Sequence, residues 1–367
     1  MRIAQVSPLF ESVPPRGYGG TERVVSYLTE ALVDEGHAVT LFASGDSVTR
    51  ARLVPVVESG IRLSSRRQDW LTWHTLMIDR VFALSQQFDV IHFHTDFLHY
   101  PLARRCATPC VTTLHGRLDL PDLKPLHHHF ADHPLVSISD SQRLPLPAAN
   151  WQATVPHGLP SHLYRLQEEV PDCFVFVGRI SPEKRVDRAI EIALACQKRL
   201  RIGAKVDPAD EAYFEREIRP LLDHPLIDFV GEIGEDEKNE FIGQARAMLF
   251  PIDWPEPFGL VMIEAFACGT PVIAYNCGSV GEVMQDGVTG YIVGNMHEAV
   301  AAAERVGGID RRRCREVFEQ RFTAARMARR YVDVYQGLID ASPAHRPVVT
   351  TRSLSIGGVH ERTNSHR

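Results

Sequence analysis

The stretch PIDWPEPFGLVMIEAFACGTPVIAY, residues 251–275, places two glutamates, Glu256 and Glu264, inside one of the most apolar parts of the chain. Its prolines and first glycine predict a turn around Glu256, and LVMIEAFACG, residues 260–269, predicts a buried helix that ends at its glycine. PVIAY, residues 271–275, predicts a buried strand. Because carboxylates avoid burial unless something pairs with them, the two glutamates indicate a ligand site at this turn.

Buried-strand patterns alternate with helical patterns on both sides of this stretch. In the N-terminal half the predicted strands are RIAQVSP, HAVTLFAS, FDVIHFH, PCVTTLH and PLVSISD. The helix TERVVSYLTEALVDEG is predicted to be capped by Thr21 and ended by Gly36. In the C-terminal half the predicted strands are PDCFVFVGRI, LRIGAKV, LIDFVGEI, RAMLFPI, PVIAY and GYIV, with helices at VDRAIEIALACQKR and EAYFEREIRPLL. This alternation predicts open parallel sheets covered by helices.

The length of 367 residues exceeds one ordinary core, so two doubly wound, Rossmann-like α/β domains are predicted. They comprise residues 1–165 and 172–318 and are predicted to face each other across a cleft. Because ligands of such sheets bind at the carboxyl ends of the strands, two facing sheets would hold a ligand in that cleft. An amphipathic helix at about 320–340 is expected to pack back on the first domain. Residues 341–367 have few large apolar side chains and are predicted to be a disordered tail.

Composition excludes several classes of protein. A net charge of −6 gives no reason to expect nucleic acid as a partner. Seven cysteines without a CxxC argue against a disulfide framework or a zinc cluster, and Cys106 and Cys110 are expected to be buried thiols of a reducing compartment. The first residues do not resemble a signal peptide, and no apolar run reaches the ~20 residues of a membrane span. We therefore expect a cytoplasmic enzyme.

The turn and helix around the two glutamates suit a sugar nucleotide. The helix start leaves backbone N–H groups without intrahelical partners at the positive end of the dipole, which favours a bound phosphate. Glu264 lies about one turn inside the helix, so the two carboxylates can reach hydroxyls at both ends of such a ligand. FVFVGRISPEKRVD supplies Arg179 and Lys184. With no DxD sequence in the chain, these cations are predicted to stabilise a leaving diphosphate without a metal.

These motifs resemble those of the family 4 glycosyltransferases, retaining enzymes of the GT-B fold that use nucleotide sugars. The resemblance covers residues 1 to about 335. Its most specific element is the E-x7-E motif from Glu256 to Glu264. The GR…EK element, YGGTE, TLHG, and SVGEV with Glu282 as its acid resemble further family elements.

The resemblance implies a role for each position. Glu256 would bind the donor sugar hydroxyls and Glu264 the ribose, while Arg179 and Lys184 would neutralise the diphosphate. His115, in TLHG, would touch the donor sugar near the reacting carbon. The other implied contacts are backbone groups, those of Phe258, Gly259 and Leu260 at the sugar and phosphates and those of Gly19 and Gly20 at the phosphates or the acceptor. In the family the acceptor attacks the face that the diphosphate leaves, and a phosphate oxygen takes its proton.

Three positions depart from the family pattern. Arg185 follows the lysine where the family often has glycine, so it adds a charge near the diphosphate or faces solvent. Ser279 replaces the second glycine before Glu282, and His157 stands where the family often has asparagine. None of these changes removes a charged ligand of the diphosphate.

Three other stretches allow functional interpretations. HHHFADH, residues 127–133, permits a metal hypothesis, but adjacent histidines do not face one way, so a loop or helix face is favoured. EDEKNE, residues 235–240, predicts a solvated helix start. RLSSRRQDWLTWHTLM, residues 62–77, combines arginines with Trp70 and Trp73. It allows peripheral membrane docking, although a helix that covers the sheet is favoured.

The predicted function is metal-independent, retaining transfer of a hexosyl group from a nucleotide-diphosphate sugar to a hydroxyl of a glycan, lipid or small molecule. The architecture also fits a nucleotide-sugar 2-epimerase or a phosphorylase. The E-x7-E context argues against the epimerase, and a phosphorylase would carry a pyridoxal phosphate lysine on a longer chain. A non-catalytic nucleotide-sugar-binding protein is the third alternative. Uracil, guanine and adenine donors stay open, as do the hexose and the acceptor.

Overall fold

The computed structural model describes residues 1–64, 68–169 and 172–342, and these form two open sheets. The strands of the first sheet are β1 Arg2–Val6, β2 Ala38–Ala43, β3 Arg52–Pro55, β4 Val90–Phe93, β5 Cys110–Thr113, β6 Leu135–Ser137 and β7 Trp151–Thr154. Those of the second are β8 Cys173–Ile180, β9 Arg199–Val206, β10 Ile227–Gly231, β11 Ala247–Phe250, β12 Val272–Tyr275 and β13 Gly290–Val293. All paired strands are parallel. The predicted fold class is confirmed.

The strand orders place a switch point at the centre of each sheet. The first sheet runs β3-β2-β1-β4-β5-β6-β7 and the second β10-β9-β8-β11-β12-β13. The strand order reverses between β1 and β4 in the first sheet and between β8 and β11 in the second. The connections after the two neighbouring strands therefore lead in opposite directions and leave a crevice at the carboxyl edge of each sheet. Because helices cover both faces, the central strands are buried on both faces: CFVFV is continuously apolar, and after the exposed Arg2 only Gln5 interrupts the apolar run of RIAQV.

Helices connect the strands and cover the sheets. Their bounds are α1 Gly20–Asp34, α2 Trp70–Ala83, α3 Tyr100–Ala103, α4 Leu123–His129, α5 Asp140–Arg143, α6 Val186–Ala195, α7 Glu211–Tyr213, α8 Glu235–Gly243, α9 Leu260–Ala267, α10 Val280–Val283, α11 Met296–Arg305, α12 Arg311–Arg321 and α13 Ala324–Ala341. Helix α1 ends as predicted, with Gly36 at a φ of 82° just beyond it. Helix α9 ends likewise at Gly269, whose φ is 79°.

Two local predictions are wrong. Helix α1 begins at Gly20 after Gly19 and has no side-chain cap, so Thr21 lies inside its first turn. The helix predicted at EAYFEREIRPLL is regular only over α7 and continues as a π turn at Phe214–Ile218 and a 3₁₀ turn at Arg219–Leu221. Pro220 lacks an N–H for the regular ladder, which explains the change of pitch. The edge strands β3 and β7 were not predicted, because short half-exposed strands lack a long apolar run.

The last helix, α13, packs against α1 of the first half of the chain. Its Tyr335 is fully buried between β1 and β4 and is bonded to Gln5 and His92. An ion pair between Arg23 of α1 and Glu235 of α8 joins the two halves close to the crevice. The two sheets are thus held facing each other. The predicted tail lies almost entirely outside the described residues.

The basic, tryptophan-containing stretch is only partly described, since Arg66 and Arg67 lie outside the described residues. Its helix, α2, buries His74, Met77, Ile78 and Val81, so that face covers the first sheet as favoured. Docking on a membrane stays a prediction. Among the described residues, no helix has the length and apolar character that a bilayer crossing requires.

Neither the histidine run nor the cysteines form a metal site among the described residues. His127 lies in α4 and His133 beyond it, and both rings contact the buried Tyr100. The described part of the chain contains no group of three or more side chains placed to hold a metal ion. All seven cysteines are free; Cys110 is buried, and Cys106 is half-buried rather than fully buried.

Candidate active site

The crevice between the two sheets contains a cavity of about 570 Å³, a volume typical of small-molecule sites. All ten residues proposed from the sequence line it: Gly19, Gly20, His115, Arg179, Lys184, Glu256, Phe258, Gly259, Leu260 and Glu264. They come from the end of β8, from the segments that follow β1, β5, β8 and β11, and from the first turns of α1 and α9. The carboxyl ends of parallel strands meet at one edge, which is why residues so distant in sequence converge.

The loop before α9 is held in place by the segment that departs from the family pattern. The Ser279 hydroxyl donates to the Phe258 carbonyl at 2.9 Å, and the Ser279 N–H donates to the Glu256 carbonyl at 3.0 Å. A side chain at Gly278 would lie 2.4 Å from the backbone of Glu256. Gly259 precedes α9 at a φ of 80° and provides no side-chain cap, so the first N–H groups of α9 have no side-chain partner.

Lys184, Glu256 and Trp254 form one cluster on the floor of the cavity. The Lys184 ammonium pairs with Glu256 Oε2, and the Trp254 indole N–H donates to the same oxygen at 3.0 Å. Lys184 also lies 5.0 Å from the centre of the Trp254 ring, a cation–π distance. The two residues predicted to serve the diphosphate and the sugar therefore neutralise each other in this structure, and Glu256 Oε1 is the oxygen left for a ligand.

Arg179 lies among carboxylates. Its guanidinium bonds to Glu183 at 2.6 Å and lies 3.6 Å from Asp207 and 3.5 Å from Asp210. Lys205, which also lines the cavity, pairs with Asp207 at 3.0 Å. The cations of the cavity thus keep their charge balanced locally, which lowers the cost of partly burying them.

Glu264 is 1% exposed and has a partner that the sequence analysis did not foresee. Its Oε1 accepts from the Lys238 ammonium at 2.8 Å, whereas its Oε2 is buried without a partner. Lys238 also lies 3.5 Å from Glu235, which pairs with Arg23. The prediction of a solvated helix start at 235–240 is therefore wrong for Glu235 and Lys238, because Lys238 lines the cavity and Glu235 is paired with Arg23 and Lys238. An unpaired buried carboxylate oxygen is costly and indicates a ligand that supplies its hydrogen bond.

His115 stands at the carboxyl end of β5, on the first-sheet wall of the cavity. Its Nε2 is 2.9 Å from Nδ1 of His94, and its Nδ1 has no partner. The ring of His157 stacks on it at 5.3 Å and in turn meets the Phe258 ring edge-on at 4.9 Å. Burial lowers the pKa of His115 to about 3, so its imidazole is neutral at physiological pH.

The glycine loop before α1 lies opposite α9. A Cβ at Gly20 would lie 3.7 Å from the Leu260 side chain, so the two helix starts face each other closely. Tyr18 donates its backbone N–H to Glu232 of the second half at 2.9 Å. Asp96, in a left-handed conformation with φ 53° after β4, completes this wall of the cavity.

Two residues singled out in the sequence lie outside the cavity lining. Arg185 pairs with Asp187 of α6 at 2.7 Å and with Asp253, in the segment after β11, at 2.9 Å, so its charge is neutralised outside the cavity. Glu282 accepts hydrogen bonds from the backbone N–H groups of Asp140, at 2.7 Å, and Ser141, at 2.6 Å. It therefore ties the start of α5 in the first half to the second half.

Sequence reasoning missed Trp254, Lys238 and the His94 partner of His115. Trp254 stands two residues before Glu256, and its indole N–H is a hydrogen-bond donor that could have indicated a contact with the glutamate. Lys238 gave none, because its role depends on the distance between α8 and α9. His94 ends a predicted strand next to the strand that ends at His115, which is a signal of the kind used for His115 itself.

Comparisons with known proteins identify the family and the fold of the chain. Residues 18–144 match the family model for Glycosyltransferase Family 4, and residues 165–308 match the model for Glycosyl transferases group 1. Glycogen synthase of Mycobacterium tuberculosis (strain CDC 1551 / Oshkosh) is 26% identical over 92% of this chain and 96% of its own. Sucrose-phosphate synthase from Thermosynechococcus elongatus superposes with a TM-score of 0.78 at 19% identity, over 93% of this chain and all of its own.

A second solved structure, that of HepE from Anabaena in complex with UDP and glucose, superposes with a TM-score of 0.71 at 16% identity. It covers 92% of this chain and all of its own. At these identities the superpositions establish the fold, and the two family models establish the relationship. The chain belongs to the glycosyltransferases described by the family 4 and group 1 models, and it has their GT-B fold.

Proposed function

We propose that this protein is a retaining hexosyltransferase that moves a hexosyl group from a nucleotide-diphosphate sugar to a hydroxyl acceptor without a metal ion. The observation that carries the proposal is the convergence of an uncapped helix start, two cations and two acids in one cavity. Relatives in the fold were crystallised with UDP-glucose, in the Anabaena protein, and with ADP and acarbose, in a starch synthase from Arabidopsis thaliana. These ligands support a nucleotide-sugar donor here.

The donor is proposed to lie along the cavity with its diphosphate at the start of α9. Gly259, Leu260, Arg179 and Lys184 all line the cavity, which supports this position, since helix-start N–H groups and cations bind phosphate. The unpaired Oε2 of Glu264 accepts a ribose hydroxyl, which removes the cost of its burial. Glu256 keeps one carboxylate oxygen for a sugar hydroxyl while the other stays with Lys184 and Trp254.

The ion pairs seen without ligand explain how the site accepts two further negative charges. Lys184 gains a second anionic partner in the diphosphate and stays bonded to Glu256, since an ammonium carries three donors. Arg179 has an Nε without a hydrogen-bond partner and exchanges part of its carboxylate contact for phosphate oxygens. The attraction between both cations and the diphosphate is strongest when the sugar–phosphate bond breaks, because negative charge then accumulates on the leaving group.

The proposed reaction takes place on one face of the sugar. The bond between the anomeric carbon and the phosphate oxygen breaks, and the acceptor oxygen bonds to the same face of that carbon. The acceptor proton passes to an oxygen of the leaving phosphate, so atoms and charge balance without a protein nucleophile. His115 is neutral and carries no charge to repel the developing oxocarbenium ion.

Transfer assays test the proposal. Purified protein is incubated with UDP-, GDP- and ADP-hexoses and a panel of hydroxyl acceptors, and nucleotide release and the product anomer are measured. We expect one donor to be consumed with retained configuration. Chelator is expected to leave the rate unchanged, because charges of the chain take the role of a cation.

Matched lysine variants separate catalysis from folding. Lys184→Ala is expected to lower the rate by roughly 10²–10³ with little change in melting temperature, because it stabilises the leaving group. Lys198→Ala removes a lysine from a pair with Asp172 that does not line the cavity, and is expected to leave the rate unchanged. Nucleotide binding without turnover of any donor would instead favour the non-catalytic alternative, and an epimerised free donor would favour the epimerase.

A further inference from the structure

The core behind His115 contains a line of buried polar side chains that the proposed reaction does not use. It begins at His94, which is bonded to His115, and passes to Gln5, whose Oε1 is 2.8 Å from His94 Nε2. Gln5 Nε2 donates to the Tyr335 hydroxyl of α13 at 3.0 Å. Gln5 and Tyr335 are fully buried and His94 is 2% exposed. Burying so many polar groups is costly unless each is bonded, so their arrangement requires an explanation.

Beyond Tyr335 the line continues away from the cavity. The Tyr335 hydroxyl is 2.7 Å from Nδ1 of His92, whose Nε2 is 2.7 Å from the Thr113 hydroxyl. Thr113 lies 2.9 Å from the hydroxyl of Tyr331, one turn earlier in α13. The line therefore has one end in the core at Tyr331 and one end at the cavity, at His115.

Hydrogen-bond counting assigns the protons. The Gln5 carbonyl oxygen can only accept, so His94 carries its proton on Nε2 and offers the lone pair of Nδ1. His115 must then donate from Nε2 to His94, which leaves its Nδ1 unprotonated. Burial lowers the pKa of both histidines below the ordinary value, so each holds a single ring proton.

The opposite order of protons is disfavoured. Turning the Gln5 amide over would reverse each bond of the line and place a fixed ring proton on His115 Nδ1, which has no partner. In the order assigned here the proton left over lies at the other end, on the Tyr331 hydroxyl, which can rotate about its C–O bond, whereas a ring N–H cannot turn toward another acceptor. The orientation of one amide thus sets the tautomer of a histidine two bonds away.

We propose that Gln5, His94 and Tyr335 are positioning residues that hold His115 as the Nε2–H tautomer, with the Nδ1 lone pair kept for a hydroxyl of the donor sugar. The assignment of His115 to the donor sugar rests on the proposed function, whereas the tautomer does not. Helix α13 thereby contributes to the cavity through Tyr335, although none of its residues lines it.

Two phenylalanine variants on the same helix test this role. Tyr335→Phe removes the hydroxyl that anchors Gln5, whereas Tyr331→Phe removes an equally buried hydroxyl at the core end of the line. Both are expected to lower the melting temperature similarly. Tyr335→Phe is expected to lower kcat roughly three- to tenfold, the effect of losing one hydrogen bond that fixes the orientation of Gln5. Tyr331→Phe is expected to change kcat less than about twofold.

Nitrogen NMR of histidine-labelled protein reads the tautomer directly, with His115 identified by its loss in a His115→Asn variant. In the wild type we expect an unprotonated Nδ1 and a protonated Nε2, and in Tyr335→Phe a mixture of both tautomers. If Tyr335→Phe does not fold, Gln5→Leu takes its place, because it deprives His94 of its acceptor and frees the same proton.

The outcomes separate this inference from the proposed function. A wild-type His115 protonated on Nδ1 would overturn the tautomer assignment whether or not transfer is observed. A Tyr335→Phe protein that is merely less stable, with kcat and tautomer unchanged, would show that the line only anchors α13. The expected tautomers in a protein that transfers no sugar would uphold the line and reject the proposed function.

Discussion

Mild acid is expected to unfold this protein, because six histidines with restricted access to water are held neutral. They are His92, His94, His99, His115, His133 and His157, and burial lowers the pKa of each, to about 3 for His115 and about 4 for His133. In the unfolded chain a histidine takes up a proton near pH 6.5. Below that pH the unfolded state binds more protons than the native state, so the free energy of unfolding falls as the pH falls.

The size of the effect follows from the number of protons. Each neutral histidine contributes about 1.4 kcal/mol per pH unit below pH 6, so six contribute roughly 8 kcal/mol per unit. Desolvation raises the pKa values of Glu11, Glu22 and Asp96, and these groups take up protons first in the native state. Even if all three oppose the histidines fully, a net slope of roughly 4 kcal/mol per unit remains. Since total stabilities are about 5–15 kcal/mol, the full slope places unfolding between roughly pH 4.5 and 6, and the reduced slope places it between roughly pH 3 and 5.

Urea denaturation followed by circular dichroism at pH 7, 6 and 5.5 measures this slope. His99→Gln keeps an amide near Thr112, to which His99 is bonded, and removes one titrating group. Its slope is expected to be smaller by about 1.4 kcal/mol per unit. A free energy of unfolding that stays constant within about 1 kcal/mol from pH 7 to 5.5 would refute the picture of neutral buried histidines.

Three further variants test individual contacts. Glu264→Gln is expected to weaken nucleotide binding roughly tenfold, since one charge-assisted bond is lost; calorimetric titration checks this. Trp254→Phe keeps a ring beside Lys184 but removes the N–H bonded to Glu256, so kcat should fall about tenfold in transfer assays while the fold persists. Glu282→Ala removes two bonds between the halves and should lower the melting temperature by a few degrees, with nucleotide affinity unchanged.

Prediction from the sequence succeeded where the signal was local. Eleven strands were predicted from apolar runs bounded by polar residues, since strands buried on both faces contain few polar side chains. The ten proposed site residues line one cavity because each stands at or after a strand end, or at a helix start, and parallel topology brings those ends to one edge. Their binding roles remain proposals.

Prediction failed for contacts between residues that are far apart in the sequence and close together in the fold. Glu264 and Lys238 are 26 residues apart, and nothing in either neighbourhood indicates their 2.8 Å contact. The bond between Gln5 and Tyr335 joins residues 330 apart. Thr21 was predicted as a cap because threonine favours that position, but Gly19 takes the cap position two residues earlier, where the glycine loop approaches α9.

The sequence by itself determined the parallel α/β class, the division into two halves and the set of charged and glycine residues at the strand ends. These follow from periodicity and turn chemistry, which act over a few residues. Only the tertiary structure decided which charge neutralises which, that Glu282 joins the halves instead of lining the cavity, and that α13 reaches His115 through Gln5 and His94. Electrostatic and hydrogen-bonded partners are chosen over a few ångströms, and those distances are fixed by the packing of two sheets against each other.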